Sequence, residues 1–232
     1  MTLLIEQIEP ARPASPFPTD GVIRVGGGRG FVVCGKDERR YIITAAHCIP
    51  EEHYPFPHLS NSSNELAVRD IVGDLGCEEC SIRGELCVLN LTDDLAVLAE
   101  PDSQNMPEEH DRYETFTTAK STVQIGPPPP FVPPYEWLDV PGAPAWVLSL
   151  DLSWQPCTVH TNGRWLTLYG AKIEGGMSGS PILNAKGEAI GLISTSSEPP
   201  NDVGFGSNVP PSLMDCLPPW LWRELDFEPE KR

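Results

Sequence analysis

The hydrophobic positions of this chain fall in short runs broken by glycine, proline, asparagine and charge, not in long helical stripes. Val22-Ile23-Arg24-Val25, Gly30-Phe31-Val32-Val33 and Tyr41-Ile42-Ile43-Thr44 are rich in β-branched and aromatic residues, which predicts strands. Trp146-Val147-Leu148-Ser149-Leu150, Thr158-Val159-His160, Trp165-Leu166-Thr167-Leu168, Ile182-Leu183 and Ala189-Ile190-Gly191-Leu192-Ile193 continue the pattern. Asn162-Gly163 is a strong hairpin signal, and Asn184-Ala185-Lys186-Gly187 predicts a second turn. Gly26-Gly27-Gly28 lies between two predicted strands and lacks the strand-to-helix context of a phosphate loop, so it reads as a turn or bulge. Only the end, from Ser212 to Leu225, has helical spacing, through Leu213, Leu217, Leu221 and Leu225, with Pro218-Pro219 disturbing it.

These runs divide the chain into five pieces. Residues 1–19 are a proline-containing arm, 20–120 a first group of strands and 121–140 a connector. Residues 141–210 form a second group of strands, and 211–232 a short helix with an acidic tail. The connector holds Pro127 to Pro130 and Pro133-Pro134, which cannot pair in a central strand and favour polyproline II. A stiff spacer is the expected role; recruitment of a proline-binding domain is the competing one.

Composition narrows the class. A chain of 232 residues with 40% hydrophobic content can bury a core as one structural unit. It has no apolar run of about 18 residues, hence no expected spanning helix. The Leu3-Leu4-Ile5 run is short, cut by Glu6 and preceded by no basic residue, so no secretory signal is read and a cytoplasmic location is expected. The seven cysteines, Cys34, Cys48, Cys77, Cys80, Cys87, Cys157 and Cys216, are odd in number, which fits reduced thiols. A net charge of −17 argues against nucleic-acid binding and against an anionic membrane surface. It serves solubility, or a preference for basic partners.

Three motifs carry chemistry, in the order His, Asp, Ser: Thr44-Ala45-Ala46-His47-Cys48, Asp94-Leu95-Ala96-Val97-Leu98 and Gly176-Met177-Ser178-Gly179-Ser180-Pro181. Ser178 is a weak nucleophile unless a base takes its proton. His47 suits that task because imidazole titrates near neutrality. A carboxylate at Asp94 would orient the ring and stabilise its charged form. Asp93 is adjacent, but Asp94 is the residue that opens the apolar strand, and Asp93 reads as a turn residue. Together the motifs resemble the trypsin-like (chymotrypsin-fold) serine peptidases over roughly residues 22–209.

The resemblance implies an all-β fold of two packed antiparallel β-barrels of the chymotrypsin/trypsin type with a short carboxy-terminal helix. It implies a Ser-His-Asp triad of Ser178, His47 and Asp94, an acyl-enzyme intermediate, and an oxyanion hole from the amides of Gly176 and Ser178. Cys48 keeps a position that is disulfide-bonded in secreted relatives; Cys34 is a displaced partner, and free thiols are expected. Met177 stands where zymogen-activated relatives carry an aspartate, so activation by a newly cut terminus is not expected. Ser180 replaces a second glycine. The same resemblance places substrate-binding positions at Lys172, Ile173, Ser194, Thr195 and Ser196, with substrate added as a strand along residues 194–196. Lys172 is not an aspartate, so cleavage after Arg or Lys by that device is not expected.

The expected function is a regulated intracellular serine endopeptidase acting on a protein or peptide, restrained by a regulatory partner or a larger assembly, with no cofactor needed for chemistry. The alternative is a protease-like peptide-binding module without turnover. A third reading, a zinc-stabilised interaction domain, rests on Cys77-Glu78-Glu79-Cys80 and Cys87. The first pair has metal-knuckle spacing, but the fourth ligand is not evident, and a hairpin with three reduced thiols is the expected reading.

Overall fold

The computed structural model of the chain describes residues 17–50, 67–77, 80–133, 140–194, 212–219 and 221, and among them the apolar runs form twelve strands. The first six are β1 (Val22–Val25), β2 (Gly28–Cys34), β3 (Arg40–Ala45), β4 (Ala67–Gly73), β5 (Ile82–Asn90) and β6 (Leu95–Ala99). They pair antiparallel in the order β1-β2-β3-β6-β5-β4, and β4 closes on β1. The others are β7 (Ala143–Leu148), β8 (Trp154–Thr161), β9 (Trp165–Tyr169), β10 (Pro181–Asn184), β11 (Ala189–Leu192) and β12 (Ser212–Cys216). Their order, β7-β8-β9-β12-β11-β10, repeats the winding of the first barrel, and β10 closes on β7. The protein is thus all-β, built as two closed antiparallel barrels.

The side-chain period of two explains why so many strands read as continuous apolar runs. On β2, Val32 fills the first barrel, while Phe31 and Val33 face a separate core shared with Leu148, Leu183 and Leu192 of the second barrel. On β3 the same split separates Ile42 from Ile43, and on β6 it separates Ala96 and Leu98 from Leu95 and Val97. Strands at this seam are therefore buried on both faces. The second barrel has its own interior of Val147, Val159, Leu166, Leu168, Ile182 and Ile190.

Two elements depart from the pattern's prediction. Helix α1 (Pro107–Thr118) was not anticipated: it buries only Tyr113 and Thr117, so its apolar stripe is too thin to read. Pro107 at its first turn, followed by Glu108 and Glu109, suits the helix start. The Tyr113 hydroxyl donates to the Leu98 carbonyl at 3.1 Å, tying α1 to the first barrel. The second departure is a correction. Ser212–Cys216, read as the start of a helix beyond residue 210, is strand β12, paired with β9 and β11. Closing the second barrel needs a sixth strand, and that requirement overrides the leucine spacing. The rest of the predicted helix lies largely outside the described residues. Among the described residues, no helix is long and apolar enough to cross a membrane.

Phe17, at the end of the arm, and the connector both pack on the second barrel. Gln124 and Gly126 bond to Ala189 of β11, and the Val132 amide donates to Thr161 of β8 at 3.1 Å. Phe17 makes edge contacts with Trp146 and Trp154, and the Trp154 indole donates to the Phe17 carbonyl at 3.0 Å. Gly187 makes room for it, since a Cβ there would stand 2.8 Å from the Phe17 ring. Phe17→Ala should destabilise the chain by about 2 kcal/mol, visible as a lower urea midpoint. An unchanged midpoint would show that Phe17 merely rests on the surface.

Candidate active site

The site begins where β3 ends. Ala46–Cys48 forms a 3₁₀ turn whose two leading amides are held by one residue of the β5–β6 turn. The Ala46 amide donates to the Asp94 carbonyl at 3.0 Å, and the His47 amide donates to Asp94 Oδ1 at 3.0 Å. The other carboxylate oxygen, Oδ2, lies 2.7 Å from His47 Nδ1. With Nδ1–H donating there, Nε2 presents its lone pair to the opposite side, the tautomer a general base needs. Asp94 adopts φ +44°, a left-handed conformation that aspartate tolerates better than most residues and that the surrounding bonds must enforce.

The enforcing bonds come from its own turn and from the other barrel. Asn90 Oδ1 accepts the amides of Thr92 and Asp93 at 3.0 and 3.1 Å, and Asn90 Nδ2 donates to Asp93 at 2.6 Å. Arg164, at the tip of the β8–β9 hairpin, donates to the Thr92 carbonyl and pairs with Asp93 at 3.1 Å. The two adjacent acids therefore serve different partners, Asp94 the imidazole and Asp93 the second barrel.

Ser178 reaches the seam from the second barrel. Its carbonyl accepts the Arg29 amide of β2 at 2.7 Å and the Cys48 thiol at 3.5 Å, which sets it beside the neighbour of His47. Two glycines permit this approach. A Cβ on Gly28 would stand 2.6 Å from the Ser178 carbonyl, and one on Gly179, at φ +82°, would overlap the Arg29 carbonyl. Among the described residues no hydrogen bond joins the His47 ring to the Ser178 hydroxyl; bonds of this kind tighten when substrate arrives. Gly176 takes φ +91°, and neither its amide nor that of Ser178 donates to a backbone carbonyl among the described residues.

Met177, between them, is fully buried in the core of the second barrel. Its amide donates to the Glu174 carbonyl at 3.1 Å, and its sulfur accepts the Glu174 amide at 3.2 Å. Packing thus anchors the loop where an aspartate would need a cationic partner. Burial pushes the Cys48 thiol up to about 11, so it stays protonated at neutral pH beside the serine.

Arg29 holds the seam together. Its guanidinium is buried and donates to the Leu148 carbonyl at 2.8 Å and twice to the Ser149 carbonyl at 3.1 Å, reaching from the first barrel into the second. Sequence reasoning missed both arginines. A charged residue inside the run Gly28–Val33 was a signal for Arg29; nothing local marks Arg164.

The remaining site residues are dispersed. Lys172 is exposed and paired with Glu174 at 2.7 Å, so its charge is already partnered. Ile173 packs on the second-barrel core, and Ser194 is buried at the end of β11. Thr195 and Ser196 lie outside the described residues. The thiols of Cys77, Cys80 and Cys87 are not brought together. Cys77 and Cys80 sit near Arg24, whereas Cys87, on β5, is exposed and lies near Glu85 and Glu100. Among the described residues, the one gathering of metal-type ligand atoms is exposed, at His110, Asp111 and Glu114.

No family model matches the sequence, and no curated protein does. Among solved structures the fold is similar to that of the Rv3671c protease in its inactive form, at 15% identity and a TM-score of 0.50, covering 86% of this chain and 84% of that one. It is also similar to the serine endoprotease from Yersinia pestis, at 18% identity and a TM-score of 0.51. That match covers 90% of this chain but only 62% of the other. The fold is that of the trypsin-like serine peptidases.

Met177→Ala should cost about 3 kcal/mol of stability, because it empties a fully buried position in the second barrel. Chemical denaturation measures it; a loss under 1 kcal/mol would mean that the loop is anchored elsewhere.

Proposed function

We propose that the chain is a serine endopeptidase that hydrolyses peptide bonds through Ser178, His47 and Asp94. The observation that carries this reading is the 2.7 Å bond from His47 to Asp94, made beside a serine that the Arg29 amide pins across the seam. His47 takes the proton from Ser178 as its oxygen attacks the scissile carbonyl. Asp94 stabilises the resulting imidazolium, and the Gly176 and Ser178 amides receive the developing oxyanion. The imidazolium then protonates the leaving amine, and water repeats the cycle on the acyl-enzyme. No metal or cofactor enters these steps.

Regulation follows from Met177. A loop held by apolar packing needs no liberated amino group. Val22, the residue that cleavage at the barrel's edge would expose, is itself buried in β1 and paired with Phe31 of β2. Control then falls to a protein partner, a larger assembly or the substrate itself. A cytoplasmic, reducing setting is supported by seven free cysteines. The second reading, a peptide-binding module without turnover, draws on the unmade bond between His47 and Ser178. A fluorophosphonate probe separates the two, because labelling of Ser178 requires an activated hydroxyl and persistent silence favours the binding module.

Ser178→Ala and His47→Ala should abolish turnover with the fold intact, and Asp94→Asn should cost on the order of 10⁴ in kcat. Asp93→Asn should cost far less. A reversed order for the two aspartates, measured by steady-state kinetics, would reassign the carboxylate.

Arg164 is a positioning residue for Asp94. Arg164→Met should lower kcat about tenfold with KM unchanged, and Arg164→Lys should recover part of that loss. A fall in KM-dependent binding alone, or no kinetic change, would remove Arg164 from this role.

A further inference from the structure

Pro127 to Pro130 leave the connector little choice of conformation. Each ring fixes φ at about −65°. Gly126, Pro127, Pro128 and Pro129 each precede a proline, which disfavours the helical region for all four. Polyproline II is what remains, with about three residues per turn. Both ends of the run are fastened to the second barrel. The Gly126 amide donates to the Ala189 carbonyl at 2.9 Å, and the Ala189 amide returns a bond to the Gln124 carbonyl at 2.7 Å. Beyond the run, Phe131 bridges Thr161 of β8, and the Val132 amide donates to the Thr161 carbonyl at 3.1 Å. The segment is a strut held at two points, not a slack loop.

The strut's outer edge is apolar and open. Pro127 and Pro130, three residues and hence one turn apart, are exposed, whereas Pro128 and Pro129 are half-buried. Phe131 follows with 58% of its surface in solvent, so the barrel's core makes little use of the ring. Among the described residues, the carbonyls of Pro127 to Pro130 accept no backbone hydrogen bond. Proline brings no amide that would need a partner of its own. A spacer needs the stiffness but gains nothing from a phenylalanine turned to water. A lone exposed ring is ordinary on a protein surface. One that continues a rigid proline edge is the pattern that proline-recognition grooves read.

Charge narrows the kind of groove. No lysine or arginine occurs between Lys120 and Arg164. The Glu188 carboxylate, held by Asn184 Nδ2 at 2.7 Å, stands 2.7 Å from where a Cβ on Gly126 would sit, at the start of the run. The whole chain carries a net charge of −17. We infer that Pro127, Pro130 and Phe131 form a docking edge for a proline-recognition domain of a partner protein, with a groove lined by aromatic side chains and rimmed by basic residues. Aromatic faces cover the pyrrolidine rings and Phe131, and indole or phenol donors reach the proline carbonyls. A strut already fixed in polyproline II loses little freedom on binding. A groove whose own acids require a lysine or arginine in the ligand finds no cation in this run. Docking here requires no turnover at Ser178.

The test titrates purified aromatic-groove domains of the WW, EVH1 and SH3 classes, sorted by the charge of the groove's rim, against the full chain by calorimetry. The chain carries Ser178→Ala, so that no probe can be cleaved. A basic-rimmed domain should bind one per chain, and acidic-rimmed domains at least about tenfold more weakly. Phe131→Ser should weaken that binding about tenfold, and so should Pro127→Ala combined with Pro130→Ala. Phe131→Ser should melt where the parent chain melts, because the ring is displayed and not packed. Absence of binding across the panel, binding indifferent to these substitutions, or equal binding by acidic-rimmed domains would overturn the inference. A melting temperature lowered by more than about 5 °C in Phe131→Ser would place the ring in the fold and overturn it too. So would a parent chain that sediments as a dimer which Phe131→Ser dissolves, since a second copy would then own the edge.

Discussion

Everything at the site depends on how Arg29 joins the two barrels. Its amide holds the Ser178 carbonyl, its own carbonyl takes the Thr44 hydroxyl at 2.6 Å, and its guanidinium holds the end of β7. A buried guanidinium is costly unless its donors find partners, and among the described residues its terminal nitrogens donate to the backbone carbonyls of Leu148 and Ser149. Burial lowers its pKa from the usual arginine value, but the group stays charged at any pH at which the protein would be handled. One residue thereby sets the distance between the loop that carries Ser178 and the strand that leads to His47, and steadies the loop after β7 that carries Leu150 and Leu152.

The second coupling runs the other way, from the second barrel to the acid of the first. Arg164 rises from the Asn162-Gly163 turn and holds Asp93 and Thr92, next to the left-handed Asp94. Each barrel thus stabilises the candidate site residue that the other carries. A relative shift of the barrels would loosen Ser178 and Asp94 together. The mainly apolar core between the barrels, from Phe31 and Ile43 to Leu148 and Leu192, is what resists such a shift.

Met177 shows how the loop that carries Ser178 can be ordered without charge. An aspartate there would have to be neutralised inside the second barrel, at a large desolvation cost. Methionine fills the space and offers its sulfur to the Glu174 amide instead. Apolar packing does not depend on a proteolytic event, so the loop's order is built in with the barrel.

The three motifs and their order were legible because each needs a particular local chain: a strand running into His47, an acid opening β6, small residues around Ser178. The strands at the seam were legible as apolar runs, since burial on both faces leaves no alternation to obscure them. Other features depended on distance through space. The shared winding of the two barrels has no echo in the residues, because backbone pairing, not side-chain identity, defines it. Ser212–Cys216 became a strand because the barrel lacked one between β9 and β11, a demand that no local spacing can express. Helix α1 buried too thin a face to announce itself. The thiols of Cys77, Cys80 and Cys87 were close in sequence and yet stayed apart, because Cys87 lies along β5 while the other two sit in the turn before it. Arg29 and Arg164 are ordinary arginines until the fold brings carbonyls and a carboxylate to them. The sequence by itself determined which groups could do chemistry and the strands that bear them; the tertiary structure decided which of those groups meet, because each of those meetings is a contact across the seam.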